Sequence, residues 1–339
     1  MGVEASRGVR FSELGGPEVL RLENVSLPEP GPGEVLLKVV GIGMTQGDVM
    51  FRRGTYLEQP ELPAGLGTEI CGVVQSCGEG VHSVGLGDRV SSISSFSINR
   101  YPIYGEYALL PEMSLIRTPS ELSDIEGAGF SLAYVPMYLA LVREAGLQAG
   151  EWLVLNAAAA TTSLAACQIA RQIGANVVGI ARNPQKTAQL QILGFDHALT
   201  WNDDIVDQVL ELTGGADVIM DPVLGDCCIP LSQMCGWRGR IIHYGALSGS
   251  PEIIHSIYPM VQKYLTVKGF TIYGYSGSQV MNLPRDNEAM AEAETFLEQG
   301  VAGGSIKPLI ADTYSLDQIV DAHHALEGGE HIGKLVVLP

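Results

Sequence analysis

Over the first part of the chain the apolar positions come in short runs punctuated by Gly and Pro. Gly15-Gly16-Pro17 reads as a hairpin-like start, and Pro28-Glu29-Pro30-Gly31-Pro32-Gly33 as a stiff loop ahead of a strand over 35–40. Gly85-Leu86-Gly87-Asp88 reads as a turn into a further strand. This spacing predicts a partly open all-β barrel. From about Gly127 the pattern changes. Apolar strands at 152–155, 176–180, 216–220, 239–244 and 266–272 alternate with helical stretches near 163–173, 184–193, 203–213, 226–235 and 258–264. That alternation predicts an α/β domain, a doubly wound parallel sheet. Helices near 287–300 and 315–327 and a last strand over 334–338 follow. The last strand is expected to return to the first domain. A nucleotide-binding domain over 127–272 would then be inserted into a catalytic domain made of 1–126 and 273–339.

Trp152-Leu153-Val154-Leu155, a turn, a helix running to Gly174 and the strand from Asn176 to Ile180 make the first βαβ unit of a dinucleotide-binding sheet. In such units a Gly-rich turn lets backbone N–H groups approach a pyrophosphate at the helix N-terminus. Here the turn carries no glycine and is built from Ala158, Ala159, Ala160, Thr161, Thr162 and Ser163. A positive φ at Thr161 or Thr162 would cost roughly 1–2 kcal/mol per residue. That is small beside the about 8 kcal/mol of a micromolar complex. The three hydroxyls offer donors to a phosphate or a cap for the helix. At the end of the second strand stands Ala181-Arg182-Asn183-Pro184-Gln185-Lys186, without the acid that would bond a ribose 2′-hydroxyl. Arg182 and Lys186 favour a 2′-phosphate and hence NADPH over NADH. The competing reading is a solvated helix start with incidental charge.

Composition narrows the partners. A net charge of −18 argues against nucleic acid and anionic membranes. No apolar run has the length of a membrane span, and the N-terminus shows no signal-like segment, so a cytoplasmic enzyme is expected. The six cysteines, Cys71, Cys77, Cys167, Cys227, Cys228 and Cys235, form no CxxC pair and have no His at ligand spacing. A structural zinc is therefore not expected. Cys71 and Cys167 read as small core fillers.

Several stretches together resemble the medium-chain dehydrogenase/reductase superfamily, in its zinc-free quinone oxidoreductase and enoyl reductase branch. They are Gly16-Pro17-Glu18-Val19-Leu20, Pro30-Gly31-Pro32-Gly33-Glu34-Val35, Gly67-Thr68-Glu69, Val84-Gly85-Leu86-Gly87-Asp88-Arg89-Val90, Tyr244-Gly245-Ala246 and His331-Ile332-Gly333-Lys334-Leu335-Val336. The resemblance covers essentially the whole chain. It implies a GroES-like β-barrel catalytic domain, a Rossmann domain, NADPH and substrate in a cleft between them, and a homodimer. Zinc-dependent members carry a Cys and a His where this chain has Thr45 and Thr68, and hydroxyls do not replace thiolate or imidazole. The four-cysteine lobe is missing as well, so no metal is expected.

The resemblance also implies roles. In Asp48-Val-Met-Phe-Arg-Arg-Gly-Thr-Tyr56 the Tyr56 phenol would donate a proton or orient a carbonyl, or else only line the pocket, with Asp48 holding the loop. Tyr244, Gly245 and Ala246 would offer groups near the nicotinamide, and Lys334 would reach the cofactor. The loop from Ser94 to Gly105, with Phe96, Tyr101 and Tyr104, and also Tyr134, would shape the substrate pocket. Three positions depart from the family: Thr45 for its Asn, Pro136 for its Thr, and Leu224 for a Gly. They open a second expectation beside an NADPH-dependent, zinc-independent reductase of quinones or activated C=C or carbonyl groups. In that alternative a redox-silent member binds, cyclises or isomerises an apolar substrate; a non-enzymatic NADPH sensor is a third reading. The partner in the first two is a small apolar or conjugated molecule.

Overall fold

The structure is a computed structural model that describes residues 2–250 and 252–339. The chain divides into two compact units. One holds residues up to Val135 with Ile272–Ala302 and Lys307–Pro339, and the other holds Pro136–Thr271 with Gly303–Ile306.

In the first unit β1 (Val3–Arg10) and β2 (Arg21–Leu27) pair antiparallel as a two-stranded ribbon. Then come β3 (Glu34–Gly43), α1 (Gln46–Arg52), β4 (Glu69–Cys77), β5 (Arg89–Ser92), β6 (Tyr107–Pro111), β7 (Leu115–Arg117) and α2 (Asp124–Ala128). β3 is the backbone of this unit. Its Val35, Leu36, Leu37, Val39 and Ile42 are buried, and it pairs with both β4 and β6. Helix α3 (Ser131–Tyr138) carries Pro136 in its interior and continues as a π-helical turn over Leu139–Glu144. A proline there has no N–H to bond the preceding turn, and the widened turn is a common response.

The second unit is a six-stranded sheet. In chain order its elements are β8 (Trp152–Asn156), α4 (Thr161–Ile173), β9 (Asn176–Ala181), α5 (Pro184–Leu190), β10 (His197–Thr200), α6 (Ile205–Thr213), β11 (Ala216–Asp221), α7 (Cys228–Met234), β12 (Cys235–His243), α8 (Ile257–Gln262) and β13 (Thr266–Gly269). The spatial order is β10-β9-β8-β11-β12-β13, every pair parallel. This is the Rossmann order 3-2-1-4-5-6. β10 escapes the sequence pattern because its four residues are each only half-buried and carry no apolar run.

The chain ends in the first unit with α9 (Tyr273–Ser276), α10 (Asn287–Ala302), β14 (Ile310–Ser315), α11 (Ile319–Gly328) and β15 (Lys334–Leu338). β15 pairs antiparallel with β3, Val336 opposite Gly43, and parallel with β14, giving the order β14-β15-β3-β4-β5-β7. The observed class is α/β, with a GroES-like β unit and a Rossmann unit. Among the described residues no helix is long and apolar enough to cross a membrane.

A buried cation fastens α1 to α11. Arg52 is fully buried, donates from Nε to the Gly15 carbonyl at 3.1 Å, and pairs with Glu327. Its Nη1 lies 2.7 Å from Nδ1 of His323, so that nitrogen must be an acceptor and the imidazole neutral. Burial, and then the Arg52 charge, push His323 down from its ordinary 6.5 to about 3. Between those values the unfolded chain holds a proton that the folded chain refuses. Stability is full above 6.5 and falls as pH drops through that window, by about 1.4 kcal/mol per unit. His323→Gln keeps an acceptor for Arg52 without the titration. Denaturant unfolding from pH 7 down to pH 4 is expected to show a shallower loss of stability in this variant, and an unchanged slope would remove His323 from the account.

Candidate functional site

The carboxyl ends of β8 and β11 flank the point where strand order reverses, the place where open α/β sheets bind ligands. Asp221, the last residue of β11, organises this edge. Its Oδ1 accepts from Asn156 Nδ2 at 2.8 Å and from the Val223 N–H at 2.9 Å. Its Oδ2 accepts from the Leu224 N–H at 3.1 Å and lies 2.9 Å from His243 Nδ1. Burial pushes this carboxyl up, yet the bonds from His243, Val223 and Asn156 outweigh it and hold Asp221 below the usual carboxylate range.

Two non-glycine residues here adopt backbone conformations that favour glycine. Ala157 has φ 51 and Leu224 has φ 63 with ψ −167. The positive φ of the glycine-free turn thus falls on Ala157, while Thr161 and Thr162 are ordinary helical residues at the start of α4. The strain expected at the threonines is carried one turn earlier, by the smallest side chain available. Leu224 is the costlier case, since its region of φ/ψ space is essentially glycine-only, on the order of 1–3 kcal/mol. The two Asp221 bonds to the Val223 and Leu224 N–H groups hold it there.

The glycine-free turn leads directly into α4. Ala158 is buried, its N–H bonded to the Ile180 carbonyl at 2.9 Å, and Ala160 is the N-cap of α4 with no side-chain cap. A helix N-terminus of this kind presents N–H donors to an anion. Thr161 and Thr162 are half-buried at this end. Ser163 was expected to face a phosphate, but it is fully buried and donates to the Asn156 carbonyl at 3.3 Å. The Tyr244 hydroxyl lies 3.3 Å from Thr162 Oγ1 and 3.5 Å from Ser163 Oγ, so this side chain, and not only its main chain, meets the start of α4. Gly245 and Ala246 are exposed, and a Cβ on Gly245 would stand 2.9 Å from the Pro222 carbonyl oxygen, which explains glycine there. Arg182 is exposed directly after β9, and Lys186 is half-buried in α5. Pro136 is buried inside α3. The donor set at this edge fits a phosphorylated dinucleotide.

In the first unit, Tyr56 and Tyr273 meet hydroxyl to hydroxyl at 2.9 Å. They line a cavity with Ser94, Phe96, Ile98 and Met281. Burial, and then Tyr273, raise the Tyr56 phenol well above its ordinary range, so it stays protonated at neutral pH. Of the four aromatic residues expected to shape the pocket, only Phe96 lines this cavity. Tyr101 is buried with its hydroxyl on Glu34 at 2.7 Å, Tyr104 is buried with its hydroxyl on Asp48 at 2.9 Å, and Tyr134 is buried and stacked on Phe130. Each has its ring packed inside, where a large half-polar side chain gains most. Tyr273 escaped the sequence reading because no motif surrounds it.

Thr45 caps α1, and its capping box with Asp48 is complete. Thr45 Oγ1 lies 3.0 Å from Thr68 Oγ1 and 3.0 Å from Asp48 Oδ2, and Thr68 Oγ1 donates to Asp48 Oδ1 at 3.2 Å. With Tyr104 this is a closed network around a fully buried carboxyl, whose affinity for its proton burial raises. Two hydroxyls and a carboxyl already supplied with donors do not fit a zinc ion. Lys334, expected to reach the cofactor, is buried instead with its Nζ 2.5 Å from Glu69 Oε2. Glu69 Oε1 in turn accepts from the Leu132 N–H at 2.7 Å and so anchors the start of α3. A buried carboxylate at that helix end needs a counter-ion, and Lys334 supplies it.

Comparison with known proteins agrees with this architecture. Residues 31–120 match the family model of the alcohol dehydrogenase GroES-like domain, and residues 162–287 match that of zinc-binding dehydrogenases. The chain is 30% identical over 342 residues to a quinone oxidoreductase of Lama guanicoe, covering 99% of this chain and 98% of that protein. It is 28% identical over 343 residues to a human quinone oxidoreductase, covering 99% of both. The crystal structure of Escherichia coli quinone oxidoreductase complexed with NADPH superposes with a TM-score of 0.85 at 27% identity, over 98% of this chain and 100% of that one.

Proposed function

The chain belongs to the medium-chain dehydrogenase/reductase superfamily, in its quinone oxidoreductase-like branch, and on that premise we propose that it is a zinc-independent, NADPH-dependent reductase of quinones or activated C=C or carbonyl compounds. One observation carries the cofactor choice: an exposed Arg182 stands directly after β9, with no acid in the stretch that follows, and α4 starts without a side-chain cap. Arg182 and Lys186 would hold the 2′-phosphate, Arg182 through charge-assisted hydrogen bonds. The first-turn N–H groups of α4 with Thr161 and Thr162 hold the pyrophosphate. Main-chain groups of Gly245 and Ala246 position the remainder. The cofactor, when bound, supplies hydride. Tyr56, kept protonated by burial, supplies the proton, and Tyr273 orients its hydroxyl. Lys334 takes no part in this account, because its charge is spent on Glu69. That the relative from Escherichia coli was crystallised with NADPH supports the reading.

The redox-silent alternative draws on Leu224, a buried side chain where the family has glycine. Fluorescence titration with NADPH separates the two: no binding at millimolar cofactor would leave only the silent reading. If NADPH binds, Arg182→Ala is expected to weaken it by about 10–100-fold, the loss of one charge-assisted contact, with NADH little changed. Equal weakening of both would remove the 2′-phosphate assignment. Tyr56→Phe is expected to lower kcat on the order of 10²-fold with NADPH affinity unchanged. An unaltered kcat would make Tyr56 pocket lining only.

We further propose a homodimer. β13 is an edge strand, and Trp237, Tyr258, Val261 and Tyr264 near it are large and exposed. An unprotected edge flanked by apolar side chains fits pairing with a second copy. Sedimentation equilibrium is expected to give the mass of two chains; the mass of one at micromolar concentration would rule the pairing out.

A further inference from the structure

Beside the Asp221 hub, two imidazoles and a thiol converge. Cys228 opens α7, His243 ends β12, and His255 lies just ahead of α8. One ligand atom from each lies within 4.8 Å of the other two, and Cys228 shares a second such group with Asp221 and Cys227. They stand 15 and 12 positions apart in sequence, wider than the short ligand spacings by which zinc sites are read.

The hydrogen bonds leave this cluster unfinished. A carboxylate only accepts, so the 2.9 Å contact between Asp221 Oδ2 and His243 Nδ1 places the hydrogen on Nδ1 and a lone pair on Nε2. That Nε2 faces His255 Nε2 at 2.9 Å, so His255 must donate from Nε2 and present a lone pair at Nδ1. His255 Nδ1 is buried and makes no well-formed hydrogen bond, and the main chain of Cys228 acts on this imidazole in the sense that favours an N–H. A buried ring lone pair turned to such a group is unfavourable. The two Nε2 atoms, which have one proton between them, and the thiol sulfur are matched by a cation that accepts from all three once that proton moves to His255 Nδ1.

We propose that Cys228, His243 and His255 bind one zinc-type divalent ion. A thiolate and two imidazoles are the donor set preferred by zinc among common divalent ions. Asp221 is the outer carboxylate that fixes the His243 tautomer, as metal-bound histidines require. On binding, the Cys228 thiol releases its proton to solvent and sulfur bonds the metal. The His255 hydrogen moves to Nδ1, beside the Cys228 main chain, and its Nε2 lone pair bonds the metal. The ion's two positive charges are balanced by the Cys228 thiolate and the adjacent Asp221. Cys228 and His243 are buried, whereas His255 is half-buried and offers the entry path. The site is separate from Thr45 and Thr68 and does not depend on the proposed reductase activity.

The test uses the full chain stripped with EDTA and titrated with cobalt(II), then with zinc as competitor. One ion per chain is expected, with a thiolate-to-cobalt charge-transfer band and tetrahedral visible bands, both erased by zinc. Cys228→Ser is expected to lose the charge-transfer band, and Cys77→Ser, at an exposed thiol, to keep it. His255→Ala lies outside the strands and helices and is expected to fold normally by circular dichroism. It is expected to weaken zinc by more than the roughly 10–100-fold that losing an outer partner costs. Absence of a thiolate band, a band that survives Cys228→Ser, or a folded His255→Ala that binds zinc as tightly as the parent chain, would overturn the site.

Discussion

The Rossmann unit depends on the carboxylate of Asp221. It is fully buried at the end of β11, where an unpaired charge would cost several kcal/mol, and four donors compensate it. The donors come from three pieces of the edge. Asn156 ends β8 and also receives the Ala157 N–H, which sets the turn into α4. Val223 and Leu224 form the strained turn after β11, and His243 ends β12. Satisfying one buried charge therefore fixes the relative position of three strand ends, the start of the phosphate cradle, and the imidazole that faces His255. The strain at Ala157 and Leu224 persists because this network over-determines both turns.

The GroES-like unit has a comparable hub in Asp48, with a different outcome. Thr45, Thr68 and Tyr104 surround a buried carboxyl in the place where zinc-dependent relatives would gather metal ligands. Here hydroxyl and carboxyl groups satisfy one another. What is lost is any donor set soft enough for zinc. In the proposed reaction the proton chemistry of this unit rests with Tyr56 and Tyr273, two phenols held protonated by burial.

Much of the architecture was legible beforehand. The alternation after Gly127 marked β8, β9, β11 and β12 because central parallel strands are long apolar runs that no other element needs; it also marked β13, an edge strand whose residues are mostly exposed. β10 and β14 were not legible, since edge strands with half-exposed residues carry no such run. The glycine-free turn announced its place between β8 and α4, but not which residue bears the positive φ. Side-chain direction failed more often. Ser163 and Lys334 have the right chemistry at the right motif, yet one faces the Asn156 carbonyl and the other Glu69. Tyr101 and Tyr104 on the expected loop, and Tyr134 in α3, have their rings turned into the interior.

By itself the sequence determined the two-unit fold, the lack of zinc ligands at Thr45 and Thr68, and the basic, acid-free end of β9. These are local facts, set by which side chains stand in a short stretch and by the period of their hydrophobicity. Only the tertiary structure decided where buried charges find partners, because a carboxylate is satisfied by whatever donors the fold brings within about 3 Å, regardless of their distance in sequence. Asp221 with Asn156 and His243, Lys334 with Glu69, Tyr56 with Tyr273, and the gathering of Cys228, His243 and His255 are all of that kind.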